Sequence, residues 1–119
     1  MSKNILLQTN HRMQQCMQNC VDCHWMCLET VTYCLQNGGK LAESPHIQLL
    51  LDCADICQTS ANFMIRVSDL HQHTCDVCAI VCARCAEDCN LFSDDLQMQT
   101  CVEVARRCAI SCRQMATAV

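Results

Sequence analysis

The stretch CDVCAIVCARCAEDC places thiols at Cys75, Cys78, Cys82, Cys85 and Cys89. The steps are 3, 4, 3 and 4, the alternation of a helix with one face turned to a partner. A core-facing helix ordinarily carries Leu, Ile or Val at such positions, and here each is cysteine. The chain repeats the device. Cys16, Cys20, Cys23, Cys27 and Cys34 fall on one helical stripe, as do Cys53 with Cys57 and Cys101 with Cys108 and Cys112. Six cysteine pairs are spaced i,i+4 and three are spaced i,i+3. Residues so spaced sit one turn apart, with Cβ atoms ~5–6 Å apart, so two sulfurs can converge on one ion.

Thiolates select soft ions: Cu(I), Zn(II) or iron–sulfur clusters. Zinc favours a closed tetrahedral site, and its CxxC ligands usually sit on turns. Iron–sulfur sites also draw thiolates from loop motifs. Neither needs a continuous stripe along several helices. Cu(I) accepts two or three sulfurs, and its thiolates can bridge neighbouring ions. Zn(II) with four thiolates carries a net −2 that is costly to bury, whereas one Cu(I) per thiolate is neutral. A thiol-lined core can therefore take up many Cu(I) ions, with each thiolate formed releasing a proton. Copper ions, multiple and cuprous, are the expected ligand. A general soft-metal (zinc) binding module remains an alternative. So does a thiol/disulfide structural or redox-buffer protein, although i,i+4 helical pairs are poorly aimed for S–S bonding.

A buried cysteine is by itself ordinary, because the thiol packs as a small hydrophobe. Fifteen in 119 residues, all on stripes, are not explained that way, since Leu or Ala would pack without the reactivity. The stripes run on into softer or borderline ligands. Met13 precedes Cys16 by three, Met64 follows Cys57 by seven, His71 precedes Cys75 by four, and Met115 follows Cys112 by three. His46 precedes Cys53 by seven and Met98 precedes Cys101 by three. An up-down bundle brings the first four to one end, with His11, Met17 and His73 nearby in sequence. It brings His46 and Met98 to the other end, beside Cys34. Spacing does not decide which end is the mouth. His24, on the flank beside Trp25, reads as an exposed or satisfied polar residue.

The elements that must position these residues are helices. Two glycines, one proline and four aromatics argue for an all-α chain whose core is filled by thiols and small residues. The expected helices are about 9–37, 45–67, 70–91 and 95–116, after a loosely held lead of about eight residues. Gly38-Gly39 ends the first. Ser44-Pro45 starts the second, with Ser as N-cap and Pro at the first helical position. Asp69 with Gln72, and Asp94 with Gln97, are candidate capping boxes for the third and fourth. The second helix, with Ile47, Leu49, Leu50, Leu51 and Ile56, is the most conventionally apolar. Asp76, Arg84, Glu87 and Asp88 on the third helix, and Glu103, Arg106, Arg107 and Arg113 on the fourth, read as solvated faces. Short connections give an antiparallel up-down-up-down four-helix bundle with a cysteine-lined core. The first and third helices face each other across it, as do the second and fourth. The chain is expected to be one domain, 1–119.

A net charge of −4 without a basic patch argues against nucleic acid as a partner. No apolar run approaches a membrane span, and the N-terminus MSKNILLQTNHRM has no export signature. The expected compartment is the cytoplasm, where thiols stay reduced. The odd cysteine count also argues against a closed disulfide framework. No paired carboxylates, nucleophile–base set or phosphate loop is present, so an enzyme is not expected.

The segments CMQNCVDCHWMCLETVTYCLQNGG, HIQLLLDCADICQTSANFM, CDVCAIVCARCAEDC and CVEVARRCAISCRQMA together resemble the bacterial four-helix-bundle copper storage proteins, including their cytosolic branch. The resemblance covers nearly the whole chain. It implies core cysteines that bind multiple Cu(I) ions, His and Met near an opening, storage rather than catalysis, and a homo-oligomer, as a tetramer. Ala105 departs from the pattern, standing where many similar sequences carry another cysteine. Leu41 stands where relatives often have His, which counts against the His46 end as the mouth. The copper donor and acceptor are not given by any of these residues.

Overall fold

No glycine or proline interrupts the chain between Ser2 and Asn37, and one helix runs that whole length. The computed structural model describes the backbone of residues 2–117 and the side chains of residues 11–116. Four α-helices follow in order: α1 (Ser2–Asn37), α2 (Ser44–Ile65), α3 (His71–Cys89) and α4 (Leu96–Thr117), with a 3₁₀ turn at Gly39–Ala42 between the first two. The helix α1 starts well before the expected residue 9. Thirty-six residues span ~54 Å at ~1.5 Å each, which accounts for the 56 Å long axis of the molecule.

Three of the helix boundaries carry local corrections. Glu43, not Ser44, is the N-cap of α2, and Pro45 lies in the first turn, where its missing N–H costs nothing. The Asp69–Gln72 capping box is not formed: Leu70 occupies the N-cap of α3 with no side-chain cap bond. The fourth helix is capped by Asp95, one residue after the expected Asp94, its Oδ1 accepting the Met98 N–H at 3.0 Å. Gln97 does not reach back to close a box. It turns instead to α1, its Nε2 donating to Thr30 Oγ1 at 3.1 Å.

Each helix packs against two neighbours, α1 and α3 both lying between α2 and α4, so α1 faces α3 across the axis and α2 faces α4. This is the expected antiparallel bundle. All fifteen cysteines point inward, none more than 1% exposed. Between them sit Ala54, Ala61, Ala79, Ala86, Ala105 and Ala109, also buried. Small residues let four helices approach closely while leaving the axis to sulfur. Of the apolar set expected to make α2 a conventional core helix, only Leu50 is fully buried, and Leu51 is exposed. Burial of the Leu50 side chain contributes about 1.5–3 kcal/mol. Polar pairs fix neighbouring helices at their flanks. Asn19 Nδ2 donates to Ser111 Oγ at 3.1 Å, joining α1 to α4. His24 Nδ1 donates to the Ala54 carbonyl at 2.7 Å, joining α1 to α2, so His24 is the satisfied polar residue its position suggests.

Candidate metal centre

The helical stripes supply thiols at successive levels, and the antiparallel packing brings levels from different helices into register. Among the described residues, five sets of sulfurs lie within 4.8 Å of one another. Cys16, Cys75 and Cys112 form the set nearest the methionine end. Cys20, Cys78, Cys108 and Cys112 follow, then Cys57, Cys78, Cys82 and Cys108, then Cys23, Cys53, Cys57 and Cys82, and last Cys27, Cys85 and Cys101. The first four sets share members, through Cys112, then Cys78 with Cys108, then Cys57 with Cys82. The result is a continuous run of sulfurs along the axis. Its closest steps are 3.5 Å, at Cys20–Cys112, Cys53–Cys82 and Cys57–Cys82. Those separations are hydrogen-bond contacts between free thiols, far outside the ~2.0 Å of a disulfide.

The fifth set shares no member with the other four, although Cys23 and Cys27 approach to 3.9 Å. Ala105 lies fully buried on α4 between the levels of Cys101 and Cys108. A cysteine there would add a sulfur to the axis at the one level where the sets do not overlap. Cys89 extends the run by a 3.9 Å contact with Cys101. Cys34 stands apart, with His46 Nε2 at 3.5 Å and Met98 Sδ at 3.8 Å.

Neighbouring thiols polarise one another. Cys112 is raised by its contacts with Cys108, Cys16, Cys20 and Cys75 together with burial, and Cys57 by Cys108, Cys23, Cys53, Cys78 and burial. Cys16 is lowered by Cys112, Cys20 and Cys75, and Cys23 by Cys108, Cys27 and Cys53. The pattern is that of donors held protonated beside acceptors drawn toward thiolate. At Cys75 the contact with Cys112 pulls the thiol down, but Cys16 and burial outweigh it and push it up to about 12. Burial, then the Asp95, Cys101 and Asp88 charges, push Cys34 up to about 11. A soft cation entering this core would replace protons shared between sulfurs.

The stripe extensions lie at the two ends of the bundle. Met64 Sδ is 3.9 Å from Cys75 Sγ. Met13, Met17 and Met64 line one cavity of about 150 Å³ at this end, and Met115 is buried at the C-terminal end of α4. His71 is half-buried, its Nδ1 donating to the Ser68 carbonyl at 2.7 Å. His11 and His73 are exposed. At the other end His46, Met98 and Cys34 are buried together.

One participant was not visible as such in the sequence. Asp88 was placed with the solvated charges of α3, but it is half-buried and its Oδ2 bonds His46 Nδ1. Nothing in local spacing links residues 46 and 88. Only the packing of the start of α2 against the end of α3 does.

Residues 9–117 match the Csp family, described as copper storage protein. A solved structure of a protein from Nitrosospira multiformis is 39% identical, covers 92% of this chain and 99% of its own, and superposes with a TM-score of 0.86. The Cu(I)-bound copper storage protein BsCsp3 is 31% identical over 90% of this chain and 100% of its own, with a TM-score of 0.84. The apo form of copper storage protein 3 from Bacillus subtilis is 32% identical over 87% of this chain and 98% of its own, with a TM-score of 0.80.

Proposed function

This chain belongs to the copper storage protein family, and from that premise we propose that it is a cytosolic store that holds multiple Cu(I) ions on its core thiolates. The observation that carries the reading is the run of overlapping sulfur sets along the bundle axis. An ion held by two or three sulfurs of one set lies beside sulfurs of the next, so thiolates can bridge. Neutral Cu(I)–thiolate units add no net charge to the core as they accumulate, which a series of Zn(II)–thiolate sites would. The similarity to the Cu(I)-bound BsCsp3 supports the choice of metal.

The proposed ligands are the fifteen core cysteines, with Met13, Met64, Met115 and His71 at one end and His46 and Met98 at the other. We place the mouth at the methionine end, where the thioethers of Met13 and Met64 border a cavity next to the Cys16, Cys75 and Cys112 set. Methionine binds Cu(I) softly enough to hand it on to thiolate. Trp25, Leu28 and Leu35 on α1 are exposed, and such side chains support assembly of the chain into a homo-oligomer, a tetramer in keeping with the family resemblance. Storage is the role of the family.

An anaerobic titration with Cu(I), buffered by a competing chelator, tests the reading. Many tight equivalents per chain are expected, with helix content present before the first addition. Saturation at one or two equivalents, or displacement of Cu(I) by stoichiometric zinc, would overturn it.

A further inference from the structure

The end of the bundle away from the methionine cavity holds a site of a different kind. Cys34 Sγ, His46 Nε2 and Met98 Sδ converge there, at 3.5 Å and 3.8 Å from the central sulfur. Cys34 and Met98 are fully buried and His46 is 5% exposed. None of the three belongs to the five all-thiol sets. The imidazole is held from behind. Its Nδ1 bonds the Asp88 carboxylate, which can only accept, so the proton sits on Nδ1 and the lone pair of Nε2 faces the Cys34 sulfur. The Phe92 ring packs on the imidazole with centroids 5.1 Å apart, fixing its plane from another side. A carboxylate bound to the far nitrogen of a histidine is the usual outer partner of a metal-binding imidazole.

We propose that Cys34, His46 and Met98 form a single-ion Cu(I) site, separate from the thiolate run, in which Asp88 is a positioning residue that sets the tautomer and aim of His46. The proposal rests on the copper reading above. Its donor set is one thiolate, one neutral nitrogen and one thioether, which just balances the charge of Cu(I). Zn(II) in the same place would gain little from the thioether. Cys34 meets His46 and Met98 where the other thiols meet thiols, so the ion here is held on its own instead of within a bridged cluster. Binding displaces one proton, from Cys34.

Cu(I) is diamagnetic, so long-range proton–nitrogen NMR of the full, ¹⁵N-labelled chain can follow the histidines during an anaerobic Cu(I) titration. The expected result is that His46 Nε2 leaves its unprotonated position while Nδ1 stays protonated, and that His24 does not move. In Asp88→Asn the metal-free His46 should show a larger share of the Nε2–H tautomer. Affinity for this one ion should fall about 10–100-fold, the usual cost of losing such an outer partner. His46→Gln and Cys34→Ser should each lower capacity by one equivalent and leave the rest of the titration unchanged. Full loading with both His46 nitrogens unmoved overturns the site while leaving the storage reading intact. A chain that saturates at one equivalent with His46 shifted supports the site and removes the storage reading. Coordination through Nδ1, or an Asp88→Asn variant with unchanged tautomer and affinity, overturns the role given to Asp88.

Discussion

The two ends of the bundle extend the same cysteine stripes by the same spacing rule, yet they are built differently. At one end Met13, Met17 and Met64 surround a cavity of about 150 Å³. The helix α1 continues past this end, and a single connection, from α2 to α3, lies across it. At the other end two connections meet, the Gly39–Ala42 turn and the 90–95 segment that carries Phe92. Phe92 packs on an imidazole whose outer nitrogen is already bound. The stripe decides which side chains reach the axis, and the connections decide whether the axis is open there. On the proposed reading, the methionine end passes soft ions and the His46 end is closed to them.

The largest effect expected concerns what lies between the ends. Sulfurs from all four helices share the axial sets, so bound Cu(I) cross-links the whole bundle. Each site filled at a thousandfold excess of free ion over its Kd adds about 4 kcal/mol to stability. Guanidinium unfolding of loaded and chelator-stripped protein should differ by at least that much. Cys57→Ser should cost more than one equivalent of capacity because Cys57 belongs to two sets, whereas Cys34→Ser at the closed end should cost one. Equal losses from the two variants would show that the middle is no more shared than the end.

The rate of filling tests the difference between the ends directly. Replacing Met13, Met64 and Met115 together by Leu keeps their bulk and removes the thioethers. Loading from a Cu(I) chelate, followed by stopped flow, should slow about tenfold, equivalent to ~1.4 kcal/mol in the barrier, with final capacity in the core thiols preserved. Met98→Leu should leave the rate unchanged. The opposite result would move the mouth to the His46 end.

Proton binding tests the His46 end in the metal-free protein. The Cys34 thiol is pushed up from 9.0 to about 11 by burial, then by Asp95, Cys101 and Asp88. Between those values the folded chain keeps a proton that the unfolded chain has lost. The stability this contributes is complete below pH 9 and is lost as pH rises through about 11. Denaturant midpoints under reducing, chelating conditions at pH 8, 9 and 10 should therefore fall, and fall less steeply in Cys34→Ser.

How much of this could be read from the chain follows from which facts are local. The stripes, the four helices and the grouping of Met13, Met64 and Met115 apart from His46 and Met98 depend on spacing along one helix, and spacing is visible. The cap slipped by one residue at Asp95 because a neighbouring aspartate offered the same chemistry, and at Glu43 the extended backbone set the helix start without a side-chain cap. The capping box at Asp69 and Gln72 failed because the chain is still turning through Ser68 and Leu70, where the Leu70 N–H bonds Ser68 Oγ. Asp88 was misplaced for another reason. It neighbours the core residue Cys89, on the flank of α3, and only the start of α2 makes that flank an inside surface. The overlap of the sulfur sets was equally hidden, since it depends on how the helices slide against one another.

The backbone that ends the helices also differs between the two ends. The first helix ends at Gly38, with φ 71° and ψ −162°, at the closed end. The second ends at Val67, with φ 51°, on the wall of the methionine cavity. Around Val67 the Ser68 N–H bonds the Phe63 carbonyl at 3.0 Å and the Val67 N–H bonds the Met64 carbonyl at 2.9 Å. These are the two bonds of a helix end that normally has glycine at the left-handed position. A β-branched residue there costs about 1–2 kcal/mol, which glycine relieves at the expense of ~0.4–1 kcal/mol in unfolded-chain entropy. Val67→Gly should therefore raise the stability of the metal-free protein by about 0.5–1 kcal/mol, read as a higher urea midpoint. Gly38→Ala should lower it by about 1–3 kcal/mol, because its φ and ψ suit glycine almost alone. If Val67→Gly gave no gain, the valine side chain would have to be recovering its strain through packing against the cavity. The methionine end would then be held in shape by Val67 as the closed end is held by Phe92.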